Sequence, residues 1–154
     1  MFNRKAKWIW DNSDRKAYHH YIQARRTFTA TAGQLKMPMS LLITASSYYQ
    51  VSLNGQVVGH GPAKSAHGKR SVDTYDLIPF ACVGENQLLV TALSVGAGTM
   101  TAACEDAGLI FQINVGSKSI VSDSHTQVRN DPTRQKFTSR RWIMPCVEDV
   151  DASG

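Results

Sequence analysis

A short alternating segment that ends in a turn dipeptide limits the folds open to this chain. In YQVSL, residues 49–53, apolar and polar side chains alternate, which is the period of a strand with one buried face. Asn54 and Gly55 follow, and both tolerate the positive φ angles of a type I′ turn. The pattern therefore predicts a hairpin that returns through a strand at residues 56–60. The side chains predicted to face the core are those of Tyr49, Val51 and Leu53.

The rest of the sequence repeats this pattern and predicts an all-β fold. Short β-branched and aromatic runs are separated by clusters of Gly, Pro, Asn, Asp and Ser, and no long amphipathic helix is indicated. The spacing favours a β-sandwich, with a brief helical turn at residues 78–80 and a central strand, covered on both faces, at residues 88–90. Residues 96–108 are either a long loop or a bulged strand end. The predicted strands are 21–29, 40–45, 49–53, 56–60, 71–76, 87–95, 108–115, 119–121, 127–128 and 141–143.

Length and composition indicate one domain. A chain of 154 residues buries enough surface for an independent core. The composition turns acidic near the end, so residues 1–147 are predicted to form the domain and residues 148–154 to begin a linker or a following domain. No apolar run reaches the length of a membrane span and no signal peptide is evident, so we expect a cytoplasmic protein without a membrane partner.

Charge and cysteine spacing exclude several further classes. The formal net charge is +5, but the cations lie towards the two ends without interleaved aromatic residues, so no nucleic-acid partner is predicted. Cys82, Cys104 and Cys146 lack the paired spacing of a zinc or redox site and are predicted to be buried free thiols. His60 and His67 have no cysteine or carboxylate close in sequence, so neither a metal site nor a cofactor is predicted.

The acidic residues do not suggest a hydrolytic site. Glycoside hydrolysis needs two carboxylates held about 5 to 9.5 Å apart in a cleft. Here the acids lie in turns, in a small-residue loop and in the tail, and Ser71 has no evident triad partner, so no catalytic residue is predicted. The acids considered are Glu85, Glu105, Asp106, Glu148, Asp149 and Asp151.

Two sets of residues are candidates for binding. The glycine-rich loop after the hairpin offers hydrogen-bond donors for sugar hydroxyls, and a tryptophan near the end offers an aromatic face. This predicted substrate-binding set is His60, Lys64, His67, Arg70 and Trp142. Tryptophans beside cations at the two ends of the chain predict an interface with a neighbouring domain, and burial in the core of this domain is the alternative for them. The predicted interface set is Trp8, Trp10, Arg140 and Arg141.

An ordered series of motifs resembles a known family. The series is WIW at residues 8–10, then Tyr21 with Arg25 and Phe28, YQVSLNGQVVGHGP at 49–62, TYDL at 74–77 and GENQLLV at 84–90. It is similar to the N-terminal accessory β-sandwich, a galactose-binding-like jelly roll, of bacterial α-L-rhamnosidases. The closing acidic segment is similar to the point where the rest of such an enzyme begins.

The resemblance implies a non-catalytic domain that supports or flanks a catalytic α/α-barrel in the same polypeptide. It implies glycoside hydrolase activity in the parent protein, no cofactor in this domain, and plant or bacterial glycans containing rhamnose as partners. The alternatives are a free-standing carbohydrate-binding module for rhamnose- or galactose-containing glycans and, third, a self-contained enzyme. An exposed aromatic platform with sugar affinity favours the module.

Overall fold

A computed structural model describes residues 1–11, 19–63, 70–96 and 106–134 of the chain. Within these residues the backbone forms nine β-strands and two short 3-10 helices, at Gln34–Lys36 and Ile78–Phe80. The second 3-10 helix is the helical turn predicted from the sequence. The strands are β1 (His20–Ala30), β2 (Met39–Ala45), β3 (Tyr48–Leu53), β4 (Gln56–Gly61), β5 (Asp73–Asp76), β6 (Gly84–Ser94), β7 (Leu109–Val115), β8 (Lys118–Val121) and β9 (Gln127–Asn130).

The strands form two antiparallel sheets packed face to face. One sheet has the order β4-β3-β6-β1-β9 and the other the order β5-β2-β7-β8. Alternate side chains of both sheets point inward and fill the space between them, because each sheet can bury only one face of its pleat against the other. The predicted all-β sandwich is confirmed. Fully buried members of this core include Ile22, Leu41, Val51, Leu88 and Phe111.

The hairpin predicted at Asn54 and Gly55 is confirmed. Their φ angles are 52° and 81°, and Leu53 pairs with Gln56 across a two-residue turn. The Asn54 side chain also accepts a hydrogen bond from the backbone N–H of Gln87 at 2.9 Å and donates to the side-chain oxygen of Asn86 at 2.9 Å. The turn is therefore fixed against the start of β6. The three side chains predicted to face the core from β3, Tyr49, Val51 and Leu53, are all buried.

Strand β6 is central, as predicted, but it is not covered on both faces. Leu88 and Val90 are fully buried, whereas Leu89 is only half-buried and Gln87 is exposed. The prediction of two covered faces is wrong because β6 lies in an antiparallel sheet that buries one face against the other sheet. In the described part of the chain, the opposite face of this strand is open to solvent at Gln87. The apolar Leu88-Leu89-Val90 run hides this alternation in the sequence.

Cys82 corrects a second prediction. It was expected to be a buried thiol, yet it is exposed, because it lies in the turn between the 3-10 helix at Ile78–Phe80 and β6 rather than on an inward-facing strand position. Cys104, Cys146, the predicted strand at 141–143 and the predicted domain boundary at 147 lie outside the described residues. In the part of the chain that the structure describes, no helix is long and apolar enough to cross a membrane.

Candidate functional site

A polar network joins the two sheets at β4 and β5, which are edge strands of their respective sheets. The Tyr49 hydroxyl donates a hydrogen bond to the Asp73 carboxylate and lies 3.0 Å from the Tyr75 hydroxyl. The Tyr75 hydroxyl donates to the backbone carbonyl of His60 at 3.1 Å. Burial, and then hydrogen bonding to Asp73, raise the pKa of Tyr49 far above its ordinary value, so this phenol keeps its proton. The network therefore ties β3 and β4 of one sheet to β5 of the other.

Two glycines of β4 make this close approach possible. A Cβ atom at Gly59 would lie 2.7 Å from Cζ and 2.9 Å from Oη of Tyr75. A Cβ atom at Gly61 would lie 2.7 Å from Oη and 3.0 Å from Cζ of Tyr49. These separations are shorter than ordinary carbon contacts of about 3.5 to 4.0 Å, so larger residues would push the two tyrosines out of the network.

A groove of about 560 Å³ lies beside the network. Its lining includes the exposed His60, the half-buried Asp73 and Tyr75, and Pro62, which follows a cis peptide bond. An imidazole, a carboxylate and a phenol together offer both donors and acceptors, which is what sugar hydroxyls require. Sequence reasoning missed Tyr49, Asp73 and Tyr75 as site residues. The alternation in the sequence DTY, which places Asp73 and Tyr75 on one side of a strand, was the available signal.

The predicted substrate-binding residues do not all gather at this groove. His60 lines it, whereas Arg70 lies with its guanidinium carbon 4.6 Å from the centre of the Trp8 ring. Arg70 thus meets a residue of the predicted interface set. The remaining members of the two predicted sets, Lys64, His67, Arg140, Arg141 and Trp142, lie outside the described residues.

Trp8 presents aromatic surface to solvent. It is 43% exposed, its indole lies against the backbone at Gly108, and Arg70 makes a cation–π contact with the ring. At an exposed position such a contact is worth about 0.5 to 1 kcal/mol. A large exposed indole beside an arginine has the composition of a protein interface.

Trp10 is buried in the core of the domain. Only 4% of its surface is exposed, and its indole N–H donates to Nδ1 of His20 at 3.3 Å. The two rings also pack edge to face, with centres 5.6 Å apart. Trp10 therefore packs within this domain rather than offering its ring to a neighbour, and Trp8 is the described tryptophan available for an interface.

The described residues hold no group of three or more His, Cys, Asp or Glu side chains that could bind a metal ion. Of the acids considered from the sequence, Glu85 is exposed at the second residue of β6, and Asp106 is exposed ahead of β7. Glu105, Glu148, Asp149 and Asp151 lie outside the described residues.

Comparison with known proteins identifies the fold. No protein-family model matches the sequence, and no curated protein sequence matches it. The structure is similar to that of a GH78 family rhamnosidase of Bacillus sp. GL1, with a TM-score of 0.91 and 26% identity, over 99% of this chain and 16% of that one. An α-L-rhamnosidase from Dictyoglomus thermophilum is similar with a TM-score of 0.67 and 20% identity, over 87% of this chain and 17% of that one.

A lectin from Pleurotus ostreatus, solved in complex with GalNAc, shares the fold. Its TM-score is 0.56 at 19% identity, over 96% of this chain and 41% of the lectin. Nearly the whole of this chain therefore matches the Bacillus rhamnosidase, but it spans only 16% of that enzyme's length. The resemblance to a domain of α-L-rhamnosidases, inferred from the motif series, is confirmed.

Proposed function

We propose that this chain is a non-catalytic accessory β-sandwich domain of an α-L-rhamnosidase-type glycoside hydrolase, where it supports or flanks a catalytic domain of the same polypeptide. The observation that carries the proposal is the match, at a TM-score of 0.91, between 99% of this chain and only 16% of a rhamnosidase. A chain that aligns over its whole length with so small a part of an enzyme corresponds to one of its domains, not to the enzyme.

The exposed Trp8 supports a docking role. Interfaces are enriched in tryptophan and arginine, and Trp8 with Arg70 supplies both at one surface point. The proposal assigns the catalytic domain as the partner at this point, because domains joined in one polypeptide form interfaces of about 600 to 1,500 Å² with their neighbours.

Tryptophan fluorescence tests the docking role. In the isolated chain we expect acrylamide, a neutral quencher, to quench Trp8 and to spare Trp10. In the parent protein Trp8 becomes protected. All variants carry Trp142→Phe, so that only Trp8 and Trp10 emit. In this background Trp8→Phe removes the quenchable emission, and Trp10→Phe is the matched control that leaves it. Equal quenching of Trp8 in the chain and in the parent contradicts the docking role.

Reaction with an aryl α-L-rhamnoside tests the absence of catalysis. We expect the isolated chain to release the aryl alcohol no faster than buffer does, because the proposal leaves the carboxylate pair to the catalytic domain. Turnover by the isolated chain that survives further purification would show that the chain is an enzyme in its own right. The reading frame beyond the 154 residues is the complementary observation: the proposal requires it to encode a catalytic domain.

The groove beside β4 and β5 favours a second candidate function, carbohydrate binding. His60, Asp73 and Tyr75 offer the donors and acceptors that hydroxyls need, and a lectin solved with GalNAc shares the fold. The candidate ligands are rhamnose- or galactose-containing glycans. Calorimetric titration with L-rhamnose and with GalNAc tests this function, with Asp73→Asn as the variant expected to lose affinity. Failure of both sugars to bind excludes it at this groove.

A further inference from the structure

The outer face of the five-stranded sheet carries a second depression, whose charged lining residues are two arginines. Its volume is about 320 Å³, and it crosses β6, β1 and β9. Leu89, half-buried on β6, supplies apolar surface to this depression. The polar side chains that line it end in amide or guanidinium groups. These are Gln23, Arg25, Gln87, Gln127 and Arg129.

Two cross-strand pairs hold the arginines in place. Arg129 lies opposite Gln23 in the β1–β9 ladder, and its Nε and Nη2 atoms donate to Oε1 of Gln23 at 3.0 Å and 2.7 Å. Arg25 lies opposite Gln127, and its Nε atom donates to Oε1 of Gln127 at 3.0 Å, with Nη2 bonded to the same oxygen. Arg25 and Arg129 are therefore diagonal neighbours on one face, where residue separations are roughly 7 to 8 Å.

The charges of these two arginines are not neutralised by the residues that orient them. A glutamine oxygen accepts a hydrogen bond but carries no charge, and neither Arg25 nor Arg129 has a carboxylate partner among the described residues. Arg26 shows the contrast, because it binds the Asp123 carboxylate at 2.8 Å. Glu85 lies on the same face of β6, but four residues from Leu89, roughly 14 Å at the rise of a strand.

The free groups of the two pairs are donors. Each guanidinium uses Nε and Nη2 within its pair and keeps Nη1, while Gln23 and Gln127 each use Oε1 and keep an NH₂ group. Two positive charges and four donor groups at one depression match a ligand that carries a carboxylate together with hydroxyl or ring oxygens. Guanidinium binds carboxylate by strong charge-assisted hydrogen bonds.

We propose that this arginine–glutamine face binds an acidic sugar, a uronic acid residue within a glycan. The depression lies at the lower end of the volumes of small-ligand sites, about 300 Å³, whereas a protein partner needs about 800 Å² of surface on each side. The absence of stacking aromatic residues from its lining disfavours single-stranded nucleic acid. The proposal rests on the proposed carbohydrate-associated function and adds a site and a ligand class to it.

Calorimetric titration of the chain with a galacturonic acid trimer tests the proposal, with a neutral galactose trimer as the comparison. We expect the acidic trimer alone to bind at this face, and we expect its affinity to fall at least tenfold between low and high salt, because the contacts are charged and exposed. Arg25→Gln and Arg129→Gln should each weaken binding at least tenfold. Lys118→Gln removes the same charge from β8 of the other sheet and should change the affinity less than twofold.

Arg25→Lys separates geometry from charge. It keeps the positive charge but loses the planar fork, so it should bind more weakly than the native chain and more tightly than Arg25→Gln. Circular dichroism and thermal melts confirm that each variant is folded.

If the native chain fails to bind the acidic trimer, the proposal is overturned. An acidic protein surface is then left as the partner of the two arginines. An equal loss in Lys118→Gln also overturns it, because binding would then follow net charge rather than this face. Either result leaves the accessory-domain proposal standing, since that proposal is tested by the reading frame and by the protection of Trp8.

Discussion

Substitution of Gly59 by alanine probes a close approach between the two sheets. The new Cβ atom would lie 2.7 Å from Cζ of Tyr75, against about 3.5 to 4.0 Å for an ordinary carbon contact. The neighbour is a ring on β5 held by a hydrogen bond to the His60 carbonyl, so it cannot move aside freely. The φ angle at Gly59 is not positive, so the cost comes from this contact and not from backbone strain.

The expected loss of stability is about 1 to 2 kcal/mol. Overpacking of this kind costs about 1 to 3 kcal/mol. The reduced freedom of alanine in the unfolded chain returns about 0.4 to 1 kcal/mol. For a chain of this length, each kcal/mol corresponds to about 2 to 4 °C in melting temperature, so Gly59→Ala should melt roughly 2 to 8 °C lower.

Urea unfolding of a small variant set tests the reasoning. Gly33→Ala is the matched control, because its Cβ atom would meet only Thr31 Oγ1 at an ordinary 3.8 Å and its φ is −66°. It should be neutral or slightly stabilising. In a Tyr75→Phe background the ring remains but loses its hydrogen bond to the His60 carbonyl, so part of the cost of Gly59→Ala should persist. In a Tyr75→Ala background the cost should vanish. The same cost in both backgrounds would refute the contact as its origin.

Three further predictions, which use four substitutions, have defined outcomes. Gly55→Val places a β-branched residue at a φ of 81° with no atom nearby, so strain alone should cost about 1 to 3 kcal/mol in urea unfolding; an unchanged midpoint contradicts the turn assignment. Burial lowers the pKa of His19 below its ordinary 6.5, so stability should fall as pH drops below 6.5, by up to about 1.4 kcal/mol per pH unit. His19→Asn, which tolerates the positive φ of 52°, should flatten that profile between pH 8 and 5, and an equally steep profile assigns the effect elsewhere. Arg26→Gln leaves the Asp123 carboxylate without its cation and should cost roughly 1 to 3 kcal/mol, whereas Arg25→Gln should leave the melting temperature nearly unchanged; equal shifts contradict the distinction.

Most of the strand framework could be predicted from the sequence because its signals are local. The alternation at residues 49–53 and the Asn54-Gly55 dipeptide determine the hairpin, since both the turn and the facing of the side chains depend on neighbours in sequence. The predicted strand at 21–29 is likewise found as His20–Ala30.

The groove could not be predicted because its parts are distant in sequence. Tyr49 and Asp73 are 24 residues apart and come from different sheets, so nothing near either residue indicates the bond between them. The two tryptophans of the WIW motif show a related limit. Two residues apart on a regular strand they would share a face, yet Trp8 is exposed and Trp10 is buried. Only Ile9 between them pairs with a strand, at Leu109, so the alternation rule does not apply there.

Arg25 and Arg26 show that alternation along a strand predicts which face a side chain lies on, but not which residue it contacts there. Adjacent residues of a strand point to opposite faces, so the sequence alone separates the two guanidinium groups. It does not show that one meets a carboxylate, at Asp123, and the other an amide, at Gln127, because those partners lie 97 and 102 residues away. The carboxylate satisfies the charge of Arg26 within the domain. The amide only orients Arg25, so its charge stays available to an anion outside the fold, and this difference, rather than the net charge of +5, locates the proposed acidic-sugar site.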